Sequence, residues 1–460
     1  MNKHIKFFKF FKFFKFSKFF RFLLFFFAFF LFFLFMNQSN ISNANENLNI
    51  QFWKTTTHNV PVYFVSHQDL PMIDIAVNFN AGTLLESADK AGLASFTNSM
   101  LDKGTNLYDE NSLDEALADL GAELSFPTNS ETNSVRLRSL TNNQQNFQKG
   151  LDILINVLTK PKFDEKILQR EIGYSVFELT DALTRPNVQV ARSFNEIVFP
   201  NHPFGAMISV SSLNNIKTVD IKNFHKKYYV AQNAKILIVG DATKQQAEQI
   251  AEKIAVNLPN GELAKFPAFP PKTEKSEKIV LDHPATQSHI LVGQVGIARD
   301  NADYFALIVG NYTLGSGGFQ SRLLDEIREK RGLAYSVGSQ FNANKHPGSF
   351  RISMQTKKEN TKQALDLIQK IVSDFVQNGP TDEELKAAKD YLIGSFPLNV
   401  DSNSKMLEQV SKIAMLDLPL DTLKVWQENI AKISKEDIIK AFQRNINPQN
   451  FVTVVVGGEE

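Results

Sequence analysis

The chain has no cysteine in 460 residues, so disulfides, thiolate metal sites and cysteine nucleophiles are all excluded. Its histidines are few: His4, His58, His67, His202, His225, His283, His289 and His346, no two of them three or four residues apart. A helix therefore has no pair of imidazoles on one face with which to grip a metal. An excess of charge is missing too, with 50 Lys and Arg against 49 Asp and Glu, and a near-neutral chain has no field to draw in nucleic acid. No P-loop, Rossmann glycine pattern or G-x-S-x-G elbow stands where a strand would turn into a helix, which removes the commonest nucleotide and serine-hydrolase chemistries.

The charge balance conceals an uneven distribution. Residues 1–36 hold seven Lys and Arg, no acid, and 18 of the 40 phenylalanines. Without them, 43 basic residues face 49 acidic ones and the remainder is mildly acidic. The basic, Phe-rich run leads into residues 22–36, fifteen positions without a charge, which is the order of an export signal. That run is shorter than the roughly 20 residues of a comfortable membrane span. No A-x-A cleavage site follows in NQSNISNANEN, so a cleaved signal and an uncleaved anchor both stay open. The expectation is an exported, periplasmic protein, with residues 19–36 as the membrane anchor if the signal is retained. A thiol-free chain suits an oxidising compartment.

After an Asn/Ser-rich linker at 37–49, residues 60–65 (VPVYFV) and 73–79 (IDIAVNF) alternate in the manner of half-buried strands. Helical spacing is expected over 91–101, 112–120, 146–158 and 164–183, a hairpin over 122–140 with its turn in NSETN, and a short buried strand at 235–239. The second half repeats the plan. GLDILINVLTKPKFDEKIL at 150–168 lines up with ALDLIQKIVSDFVQNGPTDEEL at 364–385, and 215–241 lines up with 429–458, placing Gly240 on Gly457. Two matching blocks in the same order predict a duplicated module. The junction at 265–278, KFPAFPPKTEKSEK, reads as an exposed connector between domains at 50–264 and 279–460. The fold class expected is α+β, two lobes that each carry a mostly antiparallel sheet covered by helices.

One stretch of the second half carries chemistry. Residues 315–337, GSGGFQSRLLDEIREKRGLAYSV, run from a glycine cluster through a short amphipathic helix that stops at Gly332 and into a strand. The segment resembles the Arg/Tyr segment in the C-terminal half of insulinase/pitrilysin-type zinc peptidases, the family that includes the mitochondrial processing peptidase. There an arginine and a tyrosine seven residues apart reach the scissile carbonyl, and Arg328 and Tyr335 stand at that spacing. The resemblance also implies a substrate-contacting glycine loop, here Gly315, Gly317 and Gly318, with a plain flexible turn as the competing reading.

Members of that family carry H-x-x-E-H on a helix of the first half. The sequence around that place, AGTLLESADKAGLASFTNSMLDKGT at 81–105, resembles theirs, but the motif reads Ser95-Phe96-Thr97-Asn98-Ser99. Serine stands at both histidine positions and asparagine at the glutamate. A neutral hydroxyl is a poor ligand for zinc, and an amide accepts no proton. Glu178 falls on the family's third ligand position and Glu171 seven residues before it, but one carboxylate without two histidines makes no catalytic zinc site.

The resemblance therefore implies a chain that binds no metal of its own and completes an active site with a homologous subunit bearing H-x-x-E-H and zinc. In such a heterodimer or larger assembly Arg328 and Tyr335 would act on a peptide substrate. Two alternatives stay open: a structural or peptide-holding protein without chemistry, and a self-sufficient peptidase with unusual ligands.

Overall fold

The computed structural model describes residues 49–458, so the expected export segment and most of the linker after it lie outside the described residues. Among the described residues no helix is long and apolar enough to cross a membrane.

Two mixed sheets organise the chain. The first is built from β1 (Gln51–Lys54), β2 (Pro61–Ser66), β3 (Met72–Phe79), β4 (Glu123–Ser125), β5 (Asn133–Leu140) and β6 (Ala234–Gly240), in the order β1-β2-β6-β3-β5-β4. The second is built from β7 (Glu277–Leu281), β8 (Gln287–Val295), β9 (Ala334–Ala343), β10 (Pro347–Lys357) and β11 (Val452–Val456), in the order β7-β11-β8-β10-β9. The orders superimpose strand for strand once β1 is set aside. In each sheet one pair is parallel, β2 with β6 and β7 with β11, and the other pairs are antiparallel. Gly240 and Gly457, matched by the repeat, follow equivalent strands with φ of 129° and 79°, a region closed to most side chains. The duplication read from the sequence is thus present in the topology.

Each half lays helices of matching order on one face of its sheet. Gln144–Thr159 corresponds to Thr361–Asn378, and Thr218–Tyr228 to Lys435–Asn445. Amphipathic spacing accounts for the packing: Leu151, Leu154 and Leu158 of the first helix are buried, as are Ile368, Val372 and Phe375 of its counterpart.

The opposite faces are covered by exchange. Helix Pro186–Val198 from the first half packs Val190, Phe194 and Val198 on Leu291, Val295, Val452 and Val454 of the second sheet. Helix Asn403–Met415 from the second half lies on β3 and β6 of the first. Burying each large apolar side chain in such a seam contributes about 1.5–3 kcal/mol. This exchange corrects the expectation of half-buried strands: seven of the eight residues of β3 are buried. Its polar positions are paired rather than solvated. Asn78 donates to Ser411 Oγ of the crossing helix at 2.6 Å, and Asp74 accepts from Arg138 at 2.8 and 3.0 Å.

Most expected elements lie close to where they are observed. Strand β1 and helices Pro186–Val198 and Asn403–Met415 have no counterpart in the sequence reading, and the helix expected at 91–101 is shorter, Leu93–Ser99. The connector is mostly exposed, as expected, but it is also pinned. His202 and His346 contact the carbonyls of Ala268 and Pro267 at 3.0 and 3.2 Å, and Thr273 Oγ1 accepts from Val295 N–H at 3.0 Å.

Candidate functional site

The helix carrying the eroded metal motif begins at Gly92, whose φ of 107° turns the chain into Leu93–Ser99. No side chain of its own caps it. Instead the Glu86 carboxylate accepts the backbone N–H groups of Gly92 and Ala94 at 2.9 and 2.8 Å, which satisfies donors that the helix start leaves open. Burial pushes the Glu86 carboxyl up to about 7, against the lowering effect of those two hydrogen bonds.

Asn98, which the resemblance sets at the family's glutamate position, is fully buried. Its Oδ1 accepts from the Tyr229 hydroxyl at 2.9 Å, and its Nδ2 reaches Pro127 O, Thr128 Oγ1 and Ser134 O at 3.2–3.3 Å. Asn133 donates to the Tyr229 oxygen at 2.9 Å and to Ala94 O at 3.0 Å, closing a network between the helix, β5 and Tyr229. Burial pushes the Tyr229 phenol up, so it stays a neutral donor. His225 stacks on Tyr229 with ring centroids 4.8 Å apart and bonds Leu158 O at 2.9 Å, and burial pulls its imidazole down to about 4. The amide therefore ties the helix to the sheet and has no free oxygen to aim at a ligand.

Ser95 and Ser99, at the two histidine positions, share a helix face. Ser95 is half-buried, whereas Ser99 is exposed and its hydroxyl is 3.4 Å from Phe96 O. Glu171, on helix Glu165–Ala182, is engaged elsewhere: Arg170 binds it at 2.6 Å and Glu110 at 2.8 Å, and Lys103 binds Glu110 at 2.9 Å. Glu178 is exposed, with no hydrogen-bond or ion-pair partner for its carboxylate among the described residues. It shares with Ser95, Phe96, Phe177 and Leu213 a groove of about 600 Å³. The structure thus brings Ser95 and Glu178 to one groove and places Glu171 in an ion network. Two hydroxyls, a sequestered amide and one carboxylate do not fit zinc, and no group of three His, Asp or Glu able to hold a metal exists among the described residues.

The second region is built differently. The amphipathic helix expected before Gly332 is a short α-turn, Arg322–Leu324, that widens into a π-turn, Asp325–Glu329, with Lys330 N–H bonded to Asp325 O at 2.9 Å. It ends as expected at Gly332, whose φ is 62°, with Gly332 N–H on Arg328 O at 2.8 Å and Leu333 N–H on Ile327 O at 2.9 Å. Strand β9 starts at once, so Arg328 and Tyr335 meet: the guanidinium carbon lies 5.9 Å from the Tyr335 ring centroid. Tyr335 is 72% exposed, and the Arg328 side chain 38%.

The glycine cluster divides into two roles. Gly315 is buried against β9, where an added Cβ would stand 2.3 Å from Ser339 Oγ, and it borders a cavity with Ser336 and Gly338. Gly317 closes on Tyr312, its N–H bonded to Tyr312 O at 2.9 Å. Gly318, with φ of 58° and open space around it, carries the next residue, Phe319, outward to 70% exposure.

Comparison with known proteins agrees with this architecture. Residues 62–209 match the family model described as insulinase (peptidase family M16), and residues 215–392 match the one described as peptidase M16 inactive domain. The crystal structure of a peptidase M16 inactive domain from Pseudomonas fluorescens is 30% identical, superimposes with a TM-score of 0.85, and covers 90% of this chain and 98% of its own. The chain belongs to the insulinase (M16) family. Within that family it is similar to the non-peptidase homolog YmxG of Helicobacter pylori, 28% identical over 86% of this chain and 91% of that one. It is also similar to the beta subunit of the mitochondrial-processing peptidase of Saccharomyces cerevisiae, 23% identical over 79% and 82%.

The segment read as the eroded motif is helical, but the sequence did not show what surrounds Asn98. Tyr229, Asn133 and Ser134 lie far from Asn98 along the chain, and nothing local signals that they meet. Glu86 carried no distinctive signal either, since Asp89 stands nearer the same Gly-Leu-Ala helix start.

Proposed function

We propose that this chain is the metal-less half of an exported two-chain M16 peptidase, and that it contributes Arg328 and Tyr335 to a site completed by a homologous H-x-x-E-H subunit that holds the zinc. The observation that carries the reading is a contrast: the Asn98 amide of the eroded motif is spent inside the protein, whereas Arg328, half-buried, and Tyr335, exposed, stand together with no side-chain hydrogen bond. Arg328 would grip a peptide carbonyl oxygen through charge-assisted N–H donors, and the Tyr335 hydroxyl would donate to the oxygen as negative charge develops on it. Each such donor typically lowers the barrier by about 3 kcal/mol. The likeness to a processing-peptidase subunit supports a paired assembly. The basic, apolar leader supports export to the periplasm.

The test is to purify the chain alone and together with an H-x-x-E-H homologue from the same genome, and to assay both on a peptide library with and without chelator. Activity appears only in the mixture and disappears with chelator. A mixture without activity removes the proposal. That result would favour the second reading, a peptide-holding protein without chemistry, to which the non-peptidase name of the Helicobacter relative points.

A further inference from the structure

We propose that Phe319 is a positioning residue that holds the Arg328 guanidinium in place without occupying its hydrogen-bond donors. The inference rests on the role given to Arg328 above and adds a residue that neither the motif nor the family description assigns. The cations around Arg328 set the contrast. Arg322 is held by Glu384 at 2.5 Å, Lys330 by Asp325 and Glu326 at 2.7 Å each, and Arg331 by Glu326 at 2.5 Å. Arg328 alone of these four makes no hydrogen bond to a carboxylate; its nearest acid, Glu329, forms only a longer ion pair, 3.5 Å from its Nε. What flanks it is aromatic: its guanidinium carbon lies 5.3 Å from the Phe319 ring centroid and 5.9 Å from that of Tyr335.

The two kinds of partner have different chemical consequences. A carboxylate takes the in-plane N–H groups of arginine and cancels its charge. A ring attracts the cation through its face and leaves those donors and the charge for another acceptor. The loop is shaped for this delivery. Gly318 takes a conformation most residues avoid, and the turn is closed by Ser321, whose N–H and Oγ bond Gly318 O at 2.9 and 2.6 Å. A phenylalanine left 70% exposed at its tip buries little of its own surface, so its fixed partner is the arginine.

The experiment reads Arg328 directly in the folded chain. Its side-chain Nε–H signal, assigned by loss in Arg328→Lys, is compared by NMR in the wild type, Phe319→Ala, Phe319→Leu and Phe319→Tyr. Alanine and leucine are expected to remove the Phe319 share of the ring-current shift and raise the mobility of that N–H, and tyrosine to keep the wild-type shift and mobility; the melting temperature should not move. An unchanged Arg328 signal in Phe319→Ala overturns the inference whether or not a paired peptidase is ever found. In the active pair, Phe319→Ala is expected to lower kcat about two- to fivefold, with recovery in Phe319→Tyr. An equal loss in both variants would also overturn it. Failure of the proposed function is a separate result, because it would leave the NMR outcome intact.

Discussion

The eroded metal helix and the Arg/Tyr segment sit in equivalent halves of one duplicated plan, yet their polar groups have opposite fates. Around Leu93–Ser99 the side chain at the glutamate position is turned inward and satisfied: Asn98 is buried and bonded to Tyr229, Pro127, Thr128 and Ser134. Around Arg328 the guanidinium and the Tyr335 ring remain at the surface, flanked by aromatic rings rather than held by hydrogen bonds. At Asn98 the amide stabilises the fold by bonding its surroundings, whereas on the proposed function Arg328 and Tyr335 keep their donors for a substrate.

The sharpest way to break this contrast is at the exposed side. Arg328→Ala with Tyr335→Phe is expected to lower kcat of the paired enzyme at least 10²-fold, from the cost of one such donor, while leaving the melting temperature unchanged. An equal drop in stability would mean that the two residues are structural after all. The reverse is expected for Asn98→Ala, which leaves the Tyr229 hydroxyl proton without its acceptor and removes the amide's bonds to Pro127, Thr128 and Ser134. It should destabilise the chain by roughly 2–3 kcal/mol in denaturant titration, with no change in kcat of whatever pair survives. Here the contrast fails if stability is untouched.

Glu86 supplies a pH-dependent test of the same helix. Its folded carboxyl is raised from 4.5 to about 7, so the folded state favours its neutral form. That contribution is complete below pH 4.5 and is lost as pH rises through 7. The melting temperature of the wild type relative to Glu86→Gln should therefore fall between those values, and a pH-independent difference would exclude the assignment. The smallest effect is expected from Ser99→Ala, within about 0.5 kcal/mol in stability, since its hydroxyl is exposed and makes only a weak contact with its own helix.

Much of this fold could be read without coordinates because the repeat left matching blocks in the same order, and Gly240 and Gly457 fall on equivalent strand ends. The hidden part is what distant segments do to one another. The pattern of β3 reads as half-buried because Asp74, Ala76 and Asn78 alternate with larger apolar residues. The helix that covers them, Asn403–Met415, comes from the other half of the chain. The same limit applied at the site. Arg328 and Tyr335 were named from a family resemblance at seven-residue spacing, and Ser95, Asn98 and Ser99 from a flanking consensus; that the first two lie side by side is visible only in the structure. The burial of Asn98 and the ring beside Arg328 depend on contacts between segments whose approach no local pattern encodes. The π-turn at Asp325–Glu329 was equally hidden, since its residues have ordinary helical spacing.

The division of labour between chains is tested most directly by the metal content of the purified chain and of its complex with an H-x-x-E-H homologue, measured in parallel by elemental analysis. The account predicts no zinc in the lone chain and one zinc per complex. Stoichiometric zinc in the lone chain would contradict it.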